Sequence, residues 1–249
     1  MRNLVKKFFG FFLKIIKKIF LIYNNNISLK PIKINHNHSM DIYELYCNEE
    51  RINCYKEFKK YFKTSTFLKS SEIKKYAIKK SIKNNNNDEH LCLEFGVWKG
   101  SSINLLSNYT NKIYGFDSFE GLKDDWHGFS GIAEESFSLK KKLPKVNKNV
   151  ELVPGWIEET LDKFLEKNKF KIKFVNIDVD TYKTSKFILE KIKPLLAKDA
   201  IIIFDELYNY PGWDVGEYKA LKEVFNDDEY KFLAFSSDGL EVVIQIIKS

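Results

Sequence analysis

Two short stretches carry the first chemical signal. In "LCLEFGVWKGSSINLL", residues 91–106, an apolar run holds Glu94 beside its end. Gly96 and Gly100 follow, four apart, ahead of Ser101 and a helix-like pattern. In "YGFDSFEG", Asp117 closes the next apolar run, 21 residues after Gly96. A carboxylate beside a glycine turn suits an ammonium group. An acid at the end of the following strand suits the two hydroxyls of a ribose. The glycines admit a ligand close to the main chain, and Ser101 can hydrogen-bond at the helix start. The spacing is GxxxG rather than GxGxxG, and Glu94 would repel a pyrophosphate held there. One acid for an ammonium and one for a diol describes S-adenosylmethionine (SAM) better than NAD.

A second cluster lies in "NIDVD", residues 176–180, and "FDE", residues 204–206. Alternation puts Asp178 and Asp180 on one face if the strand stays regular that far. Neighbouring strands run about 4.8 Å apart, which would bring Asp178, Asp205 and Glu206 together. Hard oxygen ligands with room for water suit Mg²⁺. The alternative is an acidic rim that works without a metal. If a hydroxyl is the acceptor of a methyl group, it needs a nearby base, and Asp178 or Asp180 is placed to serve. His127, in the glycine-bearing "DDWHGFSG" loop, is the rival base on a lid-like segment. Tyr182, Tyr208, Tyr210 and Trp213 crowd the same edge. They offer ring faces to a sugar or nucleotide; the alternative is packing between the sheet and the final helices.

Such residues need strand ends to position them. Strand-like runs are expected at 91–95, 112–117, 149–153, 172–178 and 199–205. Helix-like segments lie between them, at about 100–108, 133–142, 157–168 and 183–197. Repeated β-α units imply a parallel sheet with helices on both faces. "YKFLAFSSDGLEVVIQII" departs from that pattern, reading as two strands around Asp238–Gly239, a hairpin. Ahead of these units, residues 40–62 and 70–83 read as two helices.

With those elements in place, the motifs "LEFGVWKGSSINLL", "IYGFDSFEGLKDDW", "VPGWIEETL", "VNIDVDTYKTSKFILEKIKPLL" and "AIIIFDELYNYPGW" resemble, in order, those of class I SAM-dependent methyltransferases. They are most similar to the macrocin O-methyltransferase-like family, which methylates sugar hydroxyls. The resemblance covers about residues 70–249. It implies an α/β, Rossmann-like class I methyltransferase fold: a seven-stranded, mostly parallel sheet with a C-terminal antiparallel hairpin and helices on both faces. It further implies that Glu94, Gly96, Gly100 and Ser101 hold the methionine end of SAM, Asp117 the ribose, and Gly155 and Trp156 the adenine. The implied activity is methylation of a sugar hydroxyl, on a nucleotide-activated sugar or a surface-glycan precursor such as a capsular heptose. Two other readings stay open: N- or O-methylation of a small non-sugar acceptor, and a non-catalytic SAM-fold binding module at a membrane.

The chain has 249 residues and a net charge of +7. Arg2, Lys6, Lys7, Lys14, Lys17 and Lys18 account for +6 of it, with no acid among residues 1–23. The remainder is nearly neutral, so no nucleic-acid partner is expected. At about 100° per residue, the basic side chains of residues 1–23 gather on one arc and most apolar ones on the other. Such a helix can lie on an anionic membrane surface, or pack on the protein or on a second copy. Cys47, Cys54 and Cys92 are odd in number and lack CxxC spacing, so a reducing cytoplasm fits. The expected organisation is a basic amphipathic helix at 1–23, a linker at 24–39, a helical region at 40–87 and a catalytic domain at 88–249. Homo-oligomerisation is left open.

Overall fold

The apolar runs of the sequence become buried strands. The computed structural model describes residues 42–84, 87, 89–123 and 137–248. The expected amphipathic segment 1–23, the linker 24–39 and His127 lie outside the described residues. Two helices come first, α1 (Ile42–Phe62) and α2 (Ser70–Asn84), with a short strand β1 (Thr66–Leu68) between them. Then β2 (Leu91–Phe95), α3 (Ser101–Ser107), β3 (Ile113–Asp117), β4 (Val150–Pro154), α4 (Ile157–Lys167), β5 (Ile172–Ile177), α5 (Tyr182–Ile192) and β6 (Leu196–Phe204) follow. The chain closes with α6 (Glu217–Val224), β7 (Tyr230–Ser236) and β8 (Val242–Ile246).

The strands form one sheet in the order β1-β7-β8-β6-β5-β2-β3-β4. All neighbours are parallel except β8, which runs antiparallel between β6 and β7. Every residue of β2, β5 and β8 is buried, as a sheet covered on both faces requires. Alternation divides the core in two. Leu93, Phe95, Val175, Ile177, Ile202 and Phe204 meet α1, α4, α5 and α6 on one face. Cys92, Phe174, Ile201 and Ile203 meet Ile73, Ala77 and Ile78 of α2 and Ile103 and Leu106 of α3 on the other. The strand order reverses between β2 and β5, which opens a crevice at their carboxyl ends.

The mostly parallel sheet, its closing hairpin and the helices on both faces are as expected, with two differences. The sheet has eight strands rather than seven. The extra one, β1, pairs parallel to β7 at the edge, and the Ser237 N–H closes it on the Leu68 carbonyl at 2.7 Å. Three residues are too few to show alternation, so only the partner strand reveals it. The helix expected over 133–142 is absent where it is described. Phe137, Lys140 and Lys141 take positive φ, and the Leu139 and Lys141 N–H groups both donate to the Phe119 carbonyl. Left-handed residues interrupt helical hydrogen bonding. Among the described residues, no helix is long and apolar enough to cross a membrane.

Candidate active site

A cavity of about 480 Å³ opens at the carboxyl ends of the strands, within the range of small-molecule sites. Gly96 forms its floor where β2 exits against β5. Its φ is +87°, and a Cβ there would lie 1.6 Å from the Asp178 carbonyl oxygen. No side chain can give way to relieve that contact, so the turn demands glycine. Gly100 sits in the left-handed region at φ +81° and starts α3. It does not line the cavity; Ser101 and Ser102 behind it do.

Asp117 ends β3 and faces the cavity. Its Oδ2 accepts the Val97 and Trp98 N–H groups at 2.8 and 2.7 Å, and its Oδ1 accepts the Phe119 N–H at 2.6 Å. The carboxylate therefore clamps the glycine turn to the end of the next strand. It retains acceptor capacity toward the cavity, since each carboxylate oxygen carries two lone pairs.

Glu94 is a correction. It was expected to meet an ammonium in the cavity, but it is fully buried and lies outside the lining. Leu93 and Phe95 take the α1 face of β2, so alternation turns Glu94 under α3, toward Ser102 and Asn176. Burial, reinforced by Asp178 and opposed by Lys74, pushes its pKa up to about 8, so it is largely neutral at pH 7. The folded-state pKa is raised above the unfolded one. This contribution to stability is therefore full below about 4.5 and lost as pH rises through about 8. Glu94→Gln is expected to keep the fold and to shrink the fall in melting temperature between acidic and alkaline pH. Thermal melts across pH check it; an unchanged slope would remove Glu94 as a source.

The acidic rim forms at the ends of β5 and β6. Asp178, Asp180, Asp205 and Glu206 all line the cavity. One oxygen each of Asp178, Asp205 and Glu206 lie within 4.8 Å of one another. Asp180 does not continue the strand, because its φ is +61°. That conformation is costly for a residue with a side chain, yet Asp180 lines the same cavity as Asp178. Burial first, then Asp178, Asp205 and Asp117, raise the Asp180 pKa to about 8. Burial and Asp205 raise Asp178 to about 7 against the pull of Lys74. Glu206 is driven well above the ordinary range by burial and then by the neighbouring acids. Behind it, the Glu206 N–H donates to Glu217 Oε2 at 3.1 Å.

Lys74 is a residue the sequence reading missed. Its Nζ lies 2.6 Å from Asp205 Oδ1 and 3.3 Å from Asp178 Oδ2. Burial pulls its pKa down, but Asp178 and Asp205 outweigh burial and hold it above the usual lysine value. A signal existed: Lys74 stands three, four and seven residues before Ala77, Ile78 and Ser81, the buried stripe of α2. Mg²⁺ needs close to six oxygens at about 2.0–2.1 Å, several of them water. Two of the three carboxylates expected to bind it already share an ammonium, so the rim as built does not fit a divalent cation.

On the other side of the cavity, Trp156 lines the wall with the Lys123 ammonium 4.8 Å above its ring. Gly155 shapes that turn at φ +127° without lining it. Glu158, also overlooked, faces the cavity between Lys123 at 2.7 Å and the Thr184 hydroxyl at 3.0 Å. In sequence it passes for a first-turn helix acid.

The four aromatic residues expected to touch substrate do not line the cavity. Tyr208 and Trp213 stack edge-on around Phe58 of α1, with centroids 5.8 and 5.5 Å away. Tyr210 is buried in the same core, with its hydroxyl against Gly216. Tyr182 points along the α5–α6 surface, where its hydroxyl donates to Glu223 at 2.6 Å. Phe58 is fully buried, so the segment after β6 folds over it and spends its rings on that core.

Residues 93–207 match a family model described as a methyltransferase domain. That stretch contains the glycine turn, Asp117 and the whole acidic rim. No curated protein sequence matches the chain. Among solved structures, the chain is similar to CalS11, described as a calicheamicin methyltransferase, at 22% identity and a TM-score of 0.57. That similarity covers 80% of this chain and 85% of CalS11. An apo structure, described as CalS11, TDP-rhamnose 3'-O-methyltransferase, aligns at 20% identity and a TM-score of 0.51, over 84% of this chain and 96% of that one. The O-methyltransferase NovP aligns at 19% identity and a TM-score of 0.48, over 71% and 79% of the two chains.

Proposed function

We propose that this chain, residues 93–207 of which match a methyltransferase domain, is a SAM-dependent enzyme that transfers a methyl group to a sugar hydroxyl, with a nucleotide-activated sugar or a surface-glycan precursor as acceptor. The observation that carries the reaction type is the Asp180 carboxylate, half-buried in the same cavity that the Gly96 turn lines. The acceptor class is drawn from the motif resemblance and from CalS11, whose description names TDP-rhamnose.

SAM supplies, when bound, an electrophilic methyl on a cationic sulfur. The chain's own residues then have three tasks. Gly96, Ser101 and Asp117 line the part of the cavity assigned to the amino acid and ribose, and Trp156 and Glu158 the part assigned to the adenine. The acidic lining favours a positively charged ligand over a pyrophosphate. A neutral sugar hydroxyl is a weak nucleophile, so a base must take its proton as the oxygen develops charge. Asp180 is assigned that role, because its pKa stands near neutrality and it lies apart from the Lys74 ion pairs. Asp178 and Asp205 are assigned to orienting the acceptor.

The test is a panel of nucleotide sugars incubated with labelled SAM, with the product identified by mass. Methylation of small amines or phenols, with every sugar left untouched, would overturn the acceptor class. The basic residues of 1–23 favour contact with an anionic membrane surface. Vesicle co-sedimentation that is unchanged on deleting that segment would refute the contact.

A further inference from the structure

We propose that the Lys74 ammonium takes the place of a divalent cation in the acidic rim, acting as a tethered positioning cation for Asp178 and Asp205. The inference rests on the methyltransferase reading of the cavity and extends it to how the rim is held together. Four carboxyl groups crowd the cavity edge, and a cation among them relieves the repulsion between those that ionise. In many sites a metal meets that need. Here the chain supplies one, with Nζ 2.6 Å from Asp205 and 3.3 Å from Asp178.

The placement is built in. Ile73, Ala77 and Ile78, around Lys74 on α2, are fully buried against the sheet. The start of α2 is tied down as well: the Ser70 N–H donates to Asp238 at 2.8 Å and its hydroxyl bonds Glu241. The packed helix therefore holds the root of the Lys74 side chain beside the rim, and the two carboxylates hold its ammonium there. Lys74 also stands outside residues 93–207, so the acids lie within the matched domain and their cation lies outside it. A divalent ion bound by Asp178, Asp205 and Glu206 would face a fixed like charge at contact distance.

Mn²⁺ serves as the probe, with binding read by electron paramagnetic resonance on the full chain and on Lys74→Met and Lys74→Arg. The wild type and Lys74→Arg are expected to show no saturable Mn²⁺ site at the rim. Lys74→Met, which keeps most of the length of the side chain without its charge, is expected to gain a saturable Mn²⁺ site, at least about tenfold tighter than any residual binding by the wild type. Wild-type turnover is expected to survive EDTA. Lys74→Met is expected to lose kcat more than it changes KM, with recovery in Lys74→Arg or on adding Mg²⁺. Saturable Mn²⁺ binding by the wild type that disappears in Asp178→Asn would overturn the proposal, and this arm stands even if Lys74→Met does not fold. The binding arms need no substrate. An expected Mn²⁺ pattern with no sugar methylated would therefore leave Lys74 in its role and remove only the acceptor assignment.

Discussion

Asp180→Asn is expected to lower kcat by about 10²–10⁴-fold while leaving SAM affinity nearly unchanged. The carboxamide keeps the shape of the side chain and its place at the cavity, but it cannot accept a proton. The expected pH profile follows from the same group. Burial and three neighbouring acids raise its pKa to about 8, and only the deprotonated form acts as a base. Wild-type kcat should therefore rise with pH up to about 8 and fall about tenfold per unit below it. The residual activity of Asp180→Asn should lose that rise. Steady-state kinetics across pH, paired with calorimetry for SAM, measure both. A variant within a few-fold of wild type would strip Asp180 of the role. If His127→Ala then abolished turnover, the base would move to the loop that holds His127.

Gly96→Ala is expected to destabilise the protein by about 4 kcal/mol or more and to abolish SAM binding. Two costs coincide. A left-handed φ of +87° disfavours any Cβ by about 1–2 kcal/mol. The Cβ would also stand 1.6 Å from the Asp178 carbonyl oxygen, a backbone atom held in register because the Asp178 N–H bonds the Phe95 carbonyl at 2.9 Å. Relief requires β2 and β5 to part, and the cavity lies on that seam. Gly100→Ala is the control. It shares the positive φ, at +81°, but the nearest atom to its Cβ is a Val146 methyl at 3.3 Å. It should cost only the backbone part, about 1–2 kcal/mol, and keep SAM binding. Urea unfolding of the pair decides the point; equal losses would mean that the β2–β5 contact is not what makes glycine necessary.

The glycine turn, the acid ending β3 and the acidic runs ending β5 and β6 are legible in the sequence. Strand runs and turn residues are local patterns, and a parallel α/β sheet places all its strand ends on one edge. β2 is found at Leu91–Phe95, as expected, and β3 and β4 begin within one residue of expectation. The hairpin that closes the sheet was equally local, two apolar runs around Asp238–Gly239.

What the sequence determined by itself is the order of the strands' chemistry: which residues stand at the carboxyl edge, and that a glycine must sit where the strand order reverses. Tertiary structure alone decided where those side chains turn and what meets them there. Glu94 sits under α3 because β2 presents its α1 face through Leu93 and Phe95, and sequence does not say which face borders the cavity. Asp180 lines the cavity with Asp178 through a left-handed backbone, three residues past the end of β5, that no strand pattern shows. Tyr208 and Trp213 pack on Phe58, about 150 residues earlier in the chain. Lys74 reaches Asp178 across 104 residues. Periodicity is a property of neighbours along the chain, whereas charge pairing and ring packing depend on which distant segments folding brings together.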